Sequence, residues 1–269
     1  MHPTMQCVIL AGGLGTRMWP ETKTVPKNLL PIAGTPFATW QLSWLARSGI
    51  DSVVYCVGHL GQLIRDHVGD GASWGLSARY VDEGERLRGT AGALRLACDE
   101  GALEEDFLVL YGDSWLQIDP AGVLRAARER REPALMTVLR NDGRWDDSNV
   151  VLRGTRVARY AKGLTAPPPE MRWIDYGLLA FRRAVISERV PAGGPQDLAP
   201  LCSALADEGL LAGLEVHRRF YEIGSVAGRD ELEALVTARE GRCSSPPGNG
   251  ADVHGPTRPR TGQEPTPDN

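Results

Sequence analysis

Short apolar runs alternating with helix-like periodicities constrain this chain more than any other feature of it. The runs fall at about 6–10, 52–57, 77–82, 106–110 and 134–139, long enough for strands and too short for helices. Between the first two, Thr35-Pro36 reads as an N-cap and first helical residue. Phe37, Trp40, Trp44 and Leu45 then recur at helical spacing, and Gly49 is the stop. Asp119-Pro120 before Val123, Leu124 and Ala127, and Ser225 before Leu232, Leu235 and Val236, start two further helices in the same way. Strands separated by helices pair in parallel through crossovers, so the expected fold class is α/β, a mixed, mainly parallel sheet between flanking helices.

From 149 onward the pattern changes. "NVVLRG", "RVARYAKG" and "WIDYGLLAFRR" read as strands joined by turns, with Pro167, Pro168 and Pro169 forbidding regular structure before the last. A small antiparallel insertion walling one side of a pocket is the expectation. After about 240 the chain carries six prolines, five glycines and no aromatic residue. Such a segment buries too little apolar surface to offset its ordering entropy, so 241–269 is expected to be a disordered Pro/Gly-rich tail behind one domain over 1–240. No internal repeat is present, and in particular no hexapeptide ladder of a β-helix.

A formal charge of -4 over 269 residues gives no reason to expect a nucleic-acid or membrane surface, so any anionic ligand must be met by local cations. The opening MHPTMQC lacks the basic and apolar regions of a leader, no run approaches a membrane span, and a cytoplasmic protein is expected. Five scattered cysteines without a CxxC pair indicate neither a disulfide framework nor zinc. The five histidines have no ligand spacing. None of these counts specifies an oligomer, and a homo-oligomer stays open.

The chemistry is concentrated in "VILAGGLGTRMWPETKTVPKNLLPI", residues 8 to 32. A loop after the first strand of an α/β sheet sits at its carboxyl edge, where such sheets bind ligands. Gly12, Gly13 and Gly15 allow positive φ and a close approach of backbone amides to phosphate oxygens. The dinucleotide pattern GxGxxG fails at Met18, and no Gly-Lys-Ser/Thr closes a Walker loop. In their place stand Arg17, a planar fork suited to phosphate, and Lys27, a mobile point charge.

With its glycines, two cations and prolines, "LAGGLGTRMWPETKTVPKNLLPI" resembles the signature of the sugar-1-phosphate nucleotidylyltransferases. The likeness runs from residue 6 to about 238 through "GTAGAL", "FLVLYGDSWLQID", "IDYGLLAF" and "FYEIGSVAGRDELEAL". It is closest to guanylyltransferases of heptose or mannose 1-phosphate, with the muramic-acid-type uridylyltransferases nearly as close. The resemblance implies a Rossmann-like domain in which a sugar 1-phosphate attacks the α-phosphorus of a nucleoside triphosphate (NTP) with Mg²⁺ present. It implies that Leu10, Ala11, Gly12, Gly13, Gly15, Thr16, Tyr111 and Gly112 hold the nucleotide and its phosphates. Arg17 would then steady the leaving pyrophosphate, Lys27 would contact the transferring phosphates, and Asp113 with Glu222 would carry the metal.

For the sugar phosphate the resemblance points to Thr90, Asn149, Lys162, Asp175, Tyr176 and Gly177, with the first amides of the helix begun by Gly89 and Thr90 receiving a substrate oxygen. Three departures stand out. Glu222 replaces the usual aspartate, Ala161 replaces the glutamate usually before Lys162, and Arg88 stands where relatives tend to have leucine. Two other classes remain open on the sequence: a non-catalytic nucleotide or sugar sensor on the same fold, and a dinucleotide oxidoreductase, against which Met18 argues. Uridylyl or thymidylyl transfer to another sugar 1-phosphate is the alternative within the family.

Overall fold

The computed structural model describes residues 3–84 and 86–243. Strand β1 (Gln6–Leu10) is followed by three short 3₁₀ turns, the hairpin β2 (Pro31–Ile32) and β3 (Thr35–Pro36), and helix α1 (Phe37–Arg47). Then come β4 (Ser52–Val57), α2 (Gly61–Val68), β5 (Ser77–Asp82), α3 (Gly89–Asp99) and β6 (Asp106–Tyr111). A two-residue β7 (Ser114–Trp115) precedes α4 (Pro120–Arg128), β8 (Ala134–Arg140), β9 (Val150–Arg153) and β10 (Arg156–Tyr160). The ten-residue β11 (Trp173–Arg182) leads into α5 (Arg183–Arg189), α6 (Leu198–Asp207), β12 (Leu211–Val216), β13 (Tyr221–Glu222) and α7 (Val226–Cys243).

Nine strands make one sheet in the order β5-β4-β1-β6-β11-β8-β12-β10-β9. The first four run parallel, as do β8 and β12. Strand β11 runs antiparallel to both β6 and β8, so the sheet is mixed as expected. The anticipated antiparallel insertion is the β9–β10 hairpin, which extends the sheet at its far edge. β11 touches it only at its start, where Trp173 pairs antiparallel with Val150 of β9; the rest of the strand lies in the sheet's middle, and its eight buried central residues are those of a strand covered on both faces.

Helices α1, α2, α4 and α7 pack on one face around Phe37, Leu42, Leu45, Ile64 and Leu232. Helices α3, α5 and α6 cover the other through Ala93, Leu94, Ile186, Leu198 and Leu205. Strand residues alternate between the two cores as the pleat demands, Cys7 and Ile9 to one and Val8 to the other.

Pro36 is not helical: φ -54 and ψ 136 leave it extended, Thr35 pairs with Ile32, and α1 begins one residue later. The other two starts agree with their sequence signals. Pro120 is the first residue of α4 behind Asp119, and Ser225 accepts the Gly228 N–H at the head of α7. Helix α7 runs to Cys243, past the boundary expected at 240, while the disorder expected of the tail concerns residues that, beyond 243, lie outside the described ones. No helix among the described residues is long and apolar enough to cross a membrane.

Candidate active site

The carboxyl ends of β1 and β6 are neighbours, with Leu10 beside Tyr111. The Gly112 N–H donates to the Leu10 carbonyl at 2.9 Å, and a Cβ on Gly112 would stand 2.8 Å from that oxygen. Only glycine lets the two strand ends close in this way, and their loops then flank one cavity of about 240 Å³. Leu10, Ala11, Gly12, Gly13 and Gly15 line one wall of it, Lys27, Tyr111, Gly112 and Asp113 another, and Thr90 the facing edge.

Of the three loop glycines only Gly15 has positive φ, at 63°. Its carbonyl accepts the Met18 N–H and the Thr22 hydroxyl, which sets the turn Thr16–Met18. Met18 is buried as the anchor, leaving Thr16 and Arg17 exposed. Gly12 is needed for room instead: a Cβ there would lie 2.1 Å from Oε1 of Glu83. At Gly13 a Cβ would meet nothing within 4 Å, so neither room nor positive φ requires glycine there.

Lys27 opens the third of the 3₁₀ turns that follow β1, and its Nζ donates to Oδ2 of Asp113 at 2.9 Å. The next residue, Asn28, is buried and donates to Oε1 of Gln41 and to the Gly112 carbonyl, both at 2.7 Å. Gln41, buried on α1, donates in turn to the Tyr111 and Ser114 carbonyls. This amide pair fixes residues 111–114, and hence the Asp113 carboxylate, against Lys27. Neither residue stood out in the sequence, where two amides beside apolar helix positions carry no signal of their own.

Glu222 reaches the same place from the other end of the fold. It pairs with Ser114 across β13 and β7, and the Ile223 N–H donates to the Asp113 carbonyl at 3.0 Å. Glu222 as a residue is exposed, yet its carboxyl has much protein around it, and this desolvation first, then the Asp113 charge, push its pKa up to about 7 against the pull of Lys162, Arg17 and Lys27. The Arg17 guanidinium rests on the following turn, 2.9 Å from where a Cβ on Gly224 would lie, with Asp113 Oδ2 at 3.6 Å from the same point. Two adjacent carboxylates with three cations around them make an oxygen-only donor set, which suits a hard divalent ion that takes its other ligands from phosphates and water. Among the described residues no group of three or more metal-ligating side chains competes with it.

The remaining predicted residues divide by strand face. Lys162 lies over the Tyr111 ring at 5.5 Å from its centroid, so Tyr111 joins the cavity to a second cluster. There Asp175, buried, accepts the Gly177 N–H at 3.0 Å and the Tyr160 hydroxyl at 3.3 Å. The Asp175 N–H donates to Oδ1 of Asn149. Burial holds the Asp175 carboxyl above its ordinary range, against the Gly177 amide and the Lys162 charge. Tyr176 does not join them: it alternates to the other face, fully buried, with its hydroxyl accepting the Gln117 N–H and its ring edge-on to Phe220. The helix amides expected to receive a substrate oxygen are also spoken for. Ala91 and Gly92 donate to the Gln196 carbonyl, the Thr90 N–H is directed at Asp197, and the Thr90 hydroxyl accepts the Leu198 N–H.

Residues 6–146 match the family model of the nucleotidyl transferases. The chain is 33% identical to mannose-1-phosphate guanylyltransferase of Mycobacterium tuberculosis over 191 residues, 70% of this chain and 52% of that protein. It is 28% identical to N-acetylmuramate alpha-1-phosphate uridylyltransferase of Neisseria meningitidis, over 87% of this chain and 99% of the other. Thus it spans about half the length of the first relative and nearly all of the second. The crystal structure of HddC from Yersinia pseudotuberculosis complexed with GMP-PN superposes with a TM-score of 0.70 at 19% identity, covering 87% of this chain and all of that one, which is a likeness of fold.

Proposed function

The chain belongs to the nucleotidyl transferase family, and from that premise we propose that it makes a nucleoside-diphosphate sugar and pyrophosphate from an NTP and a sugar 1-phosphate. The observation that carries this reading is the convergence of Arg17, Lys27, Asp113 and Glu222 on the joined ends of β1 and β6. An oxygen of the sugar phosphate attacks the α-phosphorus; the bond to the oxygen bridging the α- and β-phosphorus breaks, and its electron pair leaves with pyrophosphate. The attacking group is already an anion, so no general base is needed and the work is positioning and charge neutralisation.

Within that step, the Gly12–Gly15 amides cradle the triphosphate and Arg17 meets the departing pyrophosphate. Lys27 leaves or shares Asp113 to follow the negative charge at the α-phosphorus. Asp113 and Glu222 would hold Mg²⁺, which supplies charge neutralisation between the two polyanions. Lys162 would hold the sugar phosphate, with Asp175, Gly177 and Asn149 toward the hydroxyls.

Our reading of the substrates is GTP with D-glycero-D-manno-heptose or mannose 1-phosphate, supported by the guanylyltransferase likeness over 70% of the chain. The setting is the cytoplasm, where such substrates are made. Four NTPs measured against a panel of sugar 1-phosphates for Mg²⁺-dependent pyrophosphate release test it. No release from any pairing would leave a binding protein on an enzyme fold.

A further inference from the structure

Trp145, in the loop between β8 and β9, keeps 40% of its surface in solvent. Its ring is covered by Arg219, whose guanidinium carbon lies 5.9 Å from the Trp145 ring centre and 5.0 Å from that of Tyr221. On the same guanidinium, Nη2 meets Oε2 of Glu231 on α7 at 2.5 Å. One cation thus joins three segments that are far apart in sequence: the 141–149 loop, β13 and α7. A planar guanidinium suits this junction, since its faces take rings while its edge takes a carboxylate.

Both ends of the junction lead into the candidate site. Asn141, fully buried at the root of the loop, accepts the Trp145 N–H through Oδ1 and donates through Nδ2 to the Asp146 carbonyl and the Ser148 hydroxyl. The loop is therefore a braced unit, and it ends on Asn149, whose Oδ1 accepts the Asp175 N–H on the acceptor side. At the other end Tyr221 immediately precedes Glu222. Strand β13 has two residues and pairs with the two of β7, a short ladder for holding a carboxylate in place. The Arg219 carbonyl accepts Nε2 of Gln117 at 3.2 Å, so the backbone entering β13 is held while the side chain reaches the loop.

We propose that Arg219 is a positioning residue that ties the acceptor-side loop to the metal-side carboxylate: through Trp145 and Tyr221 it makes the place of Glu222 depend on where the 141–149 loop lies. A sugar 1-phosphate that orders Asn149 then orders β13 with it. The two halves of the site form one body, and the acceptor and the divalent ion favour each other's binding by the same factor in both directions. The assignment rests on the nucleotidyl-transfer reading for its two ligands, and it deepens that reading by naming the residue that couples them.

Hydrogen exchange of the full chain tests the tie without substrate or turnover. Trp145→Ala removes the ring, and exchange should quicken at least about threefold both in 141–149 and in 220–224, which Trp145 reaches through Arg219; this is the scale of one lost ring–guanidinium contact. Trp145→Phe keeps a ring and should exchange like the parent in both segments. Quickening confined to 141–149, or Trp145→Phe as loose as Trp145→Ala, would overturn the proposal. In pyrophosphate release, Trp145→Ala should raise the KM for sugar 1-phosphate and the Mg²⁺ midpoint about threefold each, with the KM for the NTP at its parental value. Parental values of the first two, or an equal rise in all three, would overturn it as well. Should Trp145→Ala not fold, Arg219→Gln, which keeps the carbonyl contact and loses the charge, is measured on the same two segments. Both segments loosened, with no pyrophosphate released from any pairing, would uphold the tie and sink the transfer reading.

Discussion

Lys27 and Asp113, 86 positions apart in sequence, meet at 2.9 Å between Nζ and Oδ2. Both side chains are about four-fifths shielded from solvent. A cation held by the residue proposed to carry the metal is already directed at the place where phosphate charge develops.

Lys27→Ala and Asp113→Ala are each expected to lower turnover at least about 10²-fold, the scale of losing one preorganised electrostatic contact in a transition state. The double variant should lose little more than either single one, because residues acting as a unit are not additive. Circular dichroism should match the parent. Near-parental kcat in either single variant would remove that residue from the mechanism.

Chelation of divalent metal is expected to stop pyrophosphate release and Mg²⁺ to restore it. Glu222→Gln keeps size and packing but loses a negative oxygen, so half-maximal activity should need about tenfold more Mg²⁺. A Mg²⁺ titration of rate distinguishes this from a structural role. An unchanged midpoint would mean that Glu222 is not a ligand.

Asn28→Ala should cost about 1–3 kcal/mol, since it leaves the Gly112 carbonyl and Oε1 of Gln41 buried without their donor. Gln41→Ala strips the Tyr111 and Ser114 carbonyls in the same way. Denaturant melts measure the stability. The expected kinetic signature is a fall in kcat with Asp113 chemically intact, and parental kcat in a destabilised variant would reduce the amide pair to packing.

Asp175 has a pKa raised by burial, so the folded state holds its proton to higher pH than the unfolded chain does. Its ionisation therefore opposes folding: the cost is absent below the ordinary carboxylate range and complete above the raised value. Asp175→Asn removes it, and the Tm difference, variant minus parent, should become more positive as pH rises from about 4 to about 8. The KM for sugar 1-phosphate should rise in the same variant. A Tm difference that is flat across this range would contradict the sign.

Much of the architecture was legible because apolar runs mark strands wherever both faces are buried; β1, β4 and β5 have the bounds read from sequence. β11 was legible as a strand but not in its place, because an apolar run does not say which neighbours cover it. Thr35-Pro36 misled because proline's φ suits a helix start and an extended N-cap equally. In the site, the loop cations and Asp113 were visible by kind and spacing. Tyr176 failed on pleat alternation, a one-residue matter once Asp175 faces the cleft. Glu83 and the Asn28–Gln41 pair were invisible because their burial is made by contacts with Gly12 and with residues 111–114.

Helix α7 holds the first loop from outside: Arg229 pairs with Glu21 at 2.7 Å and Glu233 accepts the Ala33 N–H at 3.0 Å. Those contacts span 208 and 200 positions. During synthesis the glycine-rich loop therefore leaves the ribosome well before the segments that supply its outer contacts and Glu222. A half-made chain carries Arg17, Lys27 and Asp113 but lacks Glu222 and the α7 side chains that brace the loop. The candidate site is therefore assembled across nearly the full span of the described residues, and it is complete only when α7 is in place.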